Sequence, residues 1–141
     1  MWSVKLDEFD RRILELLRED SRRAYTTIAK TLGFSEGTVR LRVRRLIKSG
    51  IIRRFTIETA DDGPEALILV STFPAFSTSK VAGQIMKVGG AKFVSELAGQ
   101  YDIFVVVSGA EIATVNQSID DIRSIEGVQN THTLFVLRKW R

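Results

Sequence analysis

From Asp7 onward the chain repeats apolar residues at helical spacing three times before its rhythm changes. Phe9, Ile13, Leu16 and Leu17 recur behind Asp7, while Asp10 in the first turn and Arg18 in the last complement the helix dipole, so the pattern predicts a first helix. A shorter helix is predicted over Thr26 to Leu32, with Ile28, Ala29 and Leu32 as a narrow apolar face and Gly33 as its end. The next stretch, Thr38 to Leu46, alternates apolar and basic residues as a strand would, until Arg45 breaks the alternation. Over a wider window Val39, Val43, Leu46 and Ile47 fall at i, i+4, i+7 and i+8, with Ser35 ahead as N-cap and Gly50 behind as C′ residue. That spacing predicts a helix over 36–49. Gly33-Phe34-Ser35 then forms a tight turn, and three short helices with a turn between the second and third follow the helix-turn-helix plan.

After this the period shortens. Ile51–Ile57 reads as a strand, and the polar stretch 58–65 reads as a linker. Beyond it the pattern predicts strands at Ala66–Phe73, Lys92–Ala98, Ile103–Val107 and Gln129–Leu137, and helices at Ser79–Val88 and Glu111–Arg123. The order βαββαβ is that of a ferredoxin-like domain, so the fold class is α+β: a helix-turn-helix unit over 1–57 and a ferredoxin-like unit over 66–141. In this topology the first and third strands are central, and here they are the continuously apolar ones, Leu67–Val70 and Ile103–Val107. Two helices cover one face of such a sheet. An apolar second face predicts that sheets from two chains stack, making the protein at least a homodimer.

Charge changes the picture further. Residues 1–57 hold 14 Lys and Arg against 7 Asp and Glu, a net +7, whereas residues 58–141 hold 7 against 10, a net −3. A basic module joined to an acidic one points to a polyanion partner for the first. In the helix-turn-helix plan the third helix enters the major groove, which gives its arginines phosphates and base edges to face. Gly37 allows close approach and Thr38 can donate a hydrogen bond. The candidate DNA-binding set is Ser35, Gly37, Thr38, Arg40, Leu41, Arg42, Arg44, Arg45 and Lys48. The chain has no cysteine, hence neither disulfide nor thiolate metal site, and no apolar run of membrane-spanning length, so a cytoplasmic location without membrane contact is expected.

Catalytic groupings are not evident. The single histidine, His132, sits between threonines on an edge strand and reads as solvated, with no cysteine or second histidine beside it to hold a metal. Asp120 and Asp121 are adjacent on a helix and point about 100° apart, so they do not face each other as an acid–base pair. Neither a Gly-rich phosphate loop nor a nucleophile elbow is present. The sequence reads as a non-enzyme without a cofactor.

Leu6-Asp7, Asp10-Arg11-Arg12-Ile13-Leu14, Asp20-Ser21-Arg22, Ile28-Ala29-Lys30, Leu32–Ser35, Val39–Val43, Leu46 and Gly50-Ile51-Ile52, in this order and spacing, resemble the Lrp/AsnC (leucine-responsive regulatory protein) transcription regulators. The resemblance implies that Arg42, in the position of the family's recognition-helix arginine, helps contact double-stranded DNA. The second half resembles the family's effector-binding domain, called RAM: Gly99-Gln100-Tyr101-Asp102 is similar to its Gly-x-x-Asp loop, Gly127-Val128 to its Gly-Val, and Thr131-His132-Thr133 to its closing Thr-x-Thr. By spacing alone the Gly99–Asp102 loop is a turn. The resemblance implies instead an amino-acid effector held by Gly99, Gln100, Tyr101 and Asp102 with Thr131 and Thr133 nearby, in dimers that assemble further into octamers. An architectural DNA-binding protein that takes no ligand is the alternative.

Overall fold

The computed structural model describes residues 5–59 and 63–140. They fall into two units, Met1–Glu58 and Thr59–Arg141. Residues 60–62 of the expected linker lie outside the described residues.

Asp7 begins α1 (Glu8–Glu19) through a reciprocal cap: its carboxylate accepts the Asp10 N–H at 2.8 Å, and the Asp10 carboxylate accepts the Asp7 N–H at 3.3 Å. Helix α2 (Tyr25–Leu32) ends at Gly33, whose φ of 73° is the left-handed conformation that only glycine adopts without cost. The turn hands over to α3 (Glu36–Lys48), where Ser35 caps by accepting the Thr38 N–H at 3.2 Å. Ile13, Leu17, Ile28, Ala29, Val39, Val43 and Leu46 form the core of this unit. Each large aliphatic among them contributes about 1.5–3 kcal/mol by leaving water.

The structure departs from the sequence expectation at three points in this unit, and the first is Phe9 of the α1 stripe, which is 42% exposed beside Phe34. Ile47 is 47% exposed instead of completing the apolar stripe, because at about 100° per residue it stands some 80° from Val39 while Leu46 stands only about 20° away. The segment 51–57 is not a strand. A strand is defined by its ladder, and the described residues of this unit contain no other strand to pair with. Only Ile52 engages the core, with its N–H donating to the Leu46 carbonyl at 3.0 Å, while Phe55 and Ile57 stay exposed.

The second unit runs β1 (Glu65–Thr72), α4 (Thr78–Ile85), β2 (Ala91–Glu96), β3 (Ile103–Ser108), α5 (Ile112–Arg123) and β4 (Val128–Phe135). The antiparallel sheet has the order β2-β3-β1-β4, so the two apolar strands are central as predicted. Burial alternates strictly along β1. Ala66, Ile68 and Val70, with Ile103, Val105 and Val107 of β3, form one core with Val81 and Ile85 of α4 and Val115, Ile119 and Ile122 of α5. The intervening residues turn to the other face, where register sets Leu67 opposite Val106 and Leu134, and Leu69 opposite Phe104 and His132. Gly127, in the turn just before β4, takes φ 99°, and a Cβ there would lie 2.8 Å from the Val81 side chain.

Candidate functional site

Helix α3 carries its cations in two distinct environments. Gly37, Leu41, Arg44 and Lys48 recur at i, i+4, i+7 and i+11, one stripe of the helix, and all four are exposed. Arg44 and Lys48 have no ion pair among the described residues. At the N-terminal end Ser35 and Thr38 hydroxyls lie 2.9 Å apart, and Arg40 pairs with Glu36 while its guanidinium lies 5.4 Å from the Tyr25 ring centroid. This end of α3 therefore presents hydroxyls and a tethered arginine beside the stripe.

Arg42 and Arg45 face the other way. Arg42 Nη1 donates to Asp7 at 2.6 Å and to Asp10 at 2.9 Å, and Arg45 Nη2 donates to the second oxygen of Asp10. Asp10 is completely buried. The Arg42 guanidinium holds the Asp7 carboxyl below the usual carboxylate range, helped by the Asp10 N–H, and the two aspartates raise Arg42 in return. Of the predicted DNA-binding set, Gly37, Thr38, Leu41, Arg44 and Lys48 thus share the accessible side with Ser35 and Arg40. Arg45 is divided between solvent and Asp10, and Arg42 lies against α1. In the sequence Asp7 reads as the start of α1 and Asp10 as a first-turn complement to its dipole, both within the family pattern. Their partnership with Arg42 is not read there, although Asp10 standing at i before Ile13 and Leu17, on the apolar stripe, signals a buried carboxylate that needs a cation.

The second predicted site is the loop Gly99–Asp102. Asp102 binds the end of β1: one carboxylate oxygen accepts the Thr72 N–H at 2.7 Å and the Thr72 hydroxyl at 3.2 Å, and the Asp102 N–H donates to the Val70 carbonyl at 2.9 Å. Gly99 and Gln100 stand exposed at the tip. Tyr101 stacks on His132 with ring centroids 6.4 Å apart and planes 26° from parallel, so it reaches across to β4. Thr131 and Thr133 flank His132 and point to the opposite, helix-covered face. There Arg123 donates to the Thr131 hydroxyl at 3.1 Å, and the Thr133 hydroxyl is buried with no partner among the described residues. The structure brings Tyr101 to His132 and Asp102 to Thr72. It does not gather Tyr101 with the two threonines on one face. His132, set aside from the sequence as a solvated strand residue, is the ring that Tyr101 covers. The alternation of β4 places it on Tyr101's face.

Among the described residues, no cluster of His, Asp or Glu could hold a metal ion, and no helix is long and apolar enough to cross a membrane.

Comparison with known proteins gives these two sites a family. Residues 6–47 match the AsnC-type helix-turn-helix domain, and residues 65–141 match the Lrp/AsnC ligand binding domain. The chain is 46% identical over 136 residues to the HTH-type transcriptional regulator LysM of Sulfurisphaera tokodaii, covering 96% of this chain and 97% of that protein. The solved structure of E. coli AsnC is 27% identical and superposes with a TM-score of 0.75, covering 96% of this chain and 94% of that one. A transcriptional regulator from Neisseria meningitidis, solved as an L-Met complex, shares the fold at 23% identity with a TM-score of 0.79, covering 97% and 93% of the two chains. With both domain models matched in order across the chain, this protein belongs to the Lrp/AsnC family of transcription regulators.

Proposed function

We propose that this regulator binds DNA sequence-specifically through the exposed stripe of α3 and adjusts that binding to a small amino-acid effector. The observation that carries the first part is the stripe Gly37, Leu41, Arg44 and Lys48, whose two cations have no ion pair among the described residues. Ser35, Thr38 and Arg40 beside it supply hydroxyls and one more guanidinium for phosphates and base edges. Arg45 keeps half its side chain in solvent and can reach a phosphate without leaving Asp10.

The effector reading rests on the loop Gly99–Asp102. An amino acid is a zwitterion and needs an acid and several N–H donors in one place. Asp102 uses one oxygen on Thr72, leaving the other as the acceptor for an ammonium, and the exposed backbone at Gly99 and Gln100 supplies donors for a carboxylate. Tyr101 over His132 forms an aromatic wall, and Thr131 with Thr133 lines the far side of β4. The L-Met complex of the Neisseria meningitidis regulator supports the ligand class, without naming the ligand for this chain. Chains pair through the open sheet face, with octamers as the further assembly, and the protein is a cytoplasmic non-enzyme that needs no cofactor.

The tie from Asp102 to Thr72 favours a second reading, in which the loop only closes the sheet and the protein is a ligand-independent architectural DNA-binding protein. Isothermal titration with each of the twenty amino acids, with and without duplex DNA, separates the two. Binding of at least one, with an affinity that changes when DNA is present, supports regulation, because linkage makes the coupling reciprocal. No binding at millimolar concentration favours the architectural reading.

A further inference from the structure

The least exposed of the recognition-helix arginines for which an ion pair is formed is Arg42: its side chain is 23% exposed, against 55% for Arg40 and 51% for Arg45. It lies two residues before Arg44, about 160° around the helix from that residue and about 130° from the middle of the stripe that faces outward. Its guanidinium stands 5.8 Å from the Phe9 ring centroid and 5.7 Å from that of Phe34, and the two rings meet edge to face at 4.5 Å. One ring belongs to α1 and the other to the turn before α3.

We propose that Arg42 is a positioning residue: with Asp7 and Asp10 it fixes the placement of α3 on α1, and it makes no contact with DNA. This rests on α3 being the DNA-facing helix. The four oxygens of the two aspartates are all engaged. Asp7 accepts from the Asp10 N–H and from Arg42, and Asp10 accepts from Arg42, Arg45 and the Asp7 N–H. Arg42 spends its Nη1 on both aspartates, so swinging the side chain out to a phosphate would strip a buried carboxylate of one of its two cations, and a buried charge left short of partners is strongly unfavourable. A planar fork packed beside a pair of touching aromatic rings also holds its direction far better than a free side chain. The network joins residues 32 to 35 positions apart in the chain, so it ties the first helix directly to the third. The stripe of Arg44 and Lys48 is thereby aimed from the inside.

The experiment is the salt dependence of binding by the full chain to one duplex, selected from a random pool by the wild-type protein. Arg42→Ala is expected to weaken binding by roughly tenfold at every salt concentration. Its slope of log K on log salt should stay that of the wild type. Arg44→Ala is expected to flatten the slope by about 0.9 for each phosphate that the arginine neutralises in the wild type. Asp7→Asn keeps the capping acceptor and removes the charge, and because Asp7 is exposed this variant carries the test if Arg42→Ala does not fold. It is expected to bind several-fold more weakly with an unchanged slope. A flatter slope for Arg42→Ala, or tighter binding with a steeper slope for Asp7→Asn, overturns the proposal, since either marks Arg42 as a phosphate ligand. Should Arg44→Ala keep the wild-type slope, the reading of α3 as the DNA-facing helix fails instead. Thermal unfolding then decides the clamp: losses from Asp7→Asn and Arg42→Ala that overlap in the double variant support it, and strictly additive losses overturn it.

Discussion

Asp102 accepts two hydrogen bonds from Thr72, one from the backbone N–H at 2.7 Å and one from the hydroxyl at 3.2 Å. The carboxylate proposed to hold an effector is therefore also the tie between its loop and a central strand.

Removing that tie and removing the charge have separable effects. Asp102→Ala leaves the Thr72 N–H without its acceptor and is expected to cost about 1–3 kcal/mol of stability. Asp102→Asn retains an amide oxygen for the same two donors and should cost less than about 1 kcal/mol. Both variants should lose the DNA response to an effector, because neither offers a carboxylate to an ammonium group. Chemical denaturation checks the first pair of values. Normal effector response in a stable Asp102→Asn protein would show that the ammonium is held elsewhere.

Acid should loosen the first unit through Asp7. Its pKa is depressed in the folded state, chiefly by the Arg42 hydrogen bond and then by the Asp10 N–H. A depressed carboxylate contributes stability that is fully present above its unfolded pKa of about 3.9 and lost as pH falls through the lower folded value. Melting followed from neutral pH downward should thus stay level until about pH 5 and then fall. In Asp7→Asn that part of the fall should be missing. Identical acid profiles for the two proteins would remove Asp7 from the linkage.

The open face of the sheet supplies a test of assembly. Val106 lies opposite Leu67 and Phe93, on the side away from α4 and α5. A lysine at this position places a charge among apolar side chains wherever two sheets stack. Val106→Lys is expected to give smaller particles or to precipitate in light scattering. A soluble variant with the wild-type mass would mean that this face is not the interface.

The periodicities carried most of the fold because burial on one side of each element enforces them. Val39, Val43 and Leu46 announce α3, and the unbroken apolar runs of β1 and β3 announce the centre of the sheet. Segment 51–57 has the composition of a strand without being one, because residues such as Ile51, Ile52 and Ile57 report only a preference for extended backbone, while a strand also requires a partner. The candidate site was less legible. Helical spacing sets Arg42 to the flank of the face that carries Arg44, but nothing in the spacing shows that Asp7 and Asp10, 32 to 35 residues away, take its guanidinium. Thr72 likewise gives no sign that its N–H ends on Asp102, 30 residues away in sequence. Helical and strand repeats reveal which face is inside. They carry no record of which polar group meets which.

The most direct test of DNA binding through α3 is the affinity of the full-length protein for a duplex measured over a range of salt concentrations. With roughly 3–5 phosphates neutralised per protomer, a dimer should show a slope of log K on log salt of about −5 to −9. A slope near zero, or no measurable binding at low salt, would contradict it.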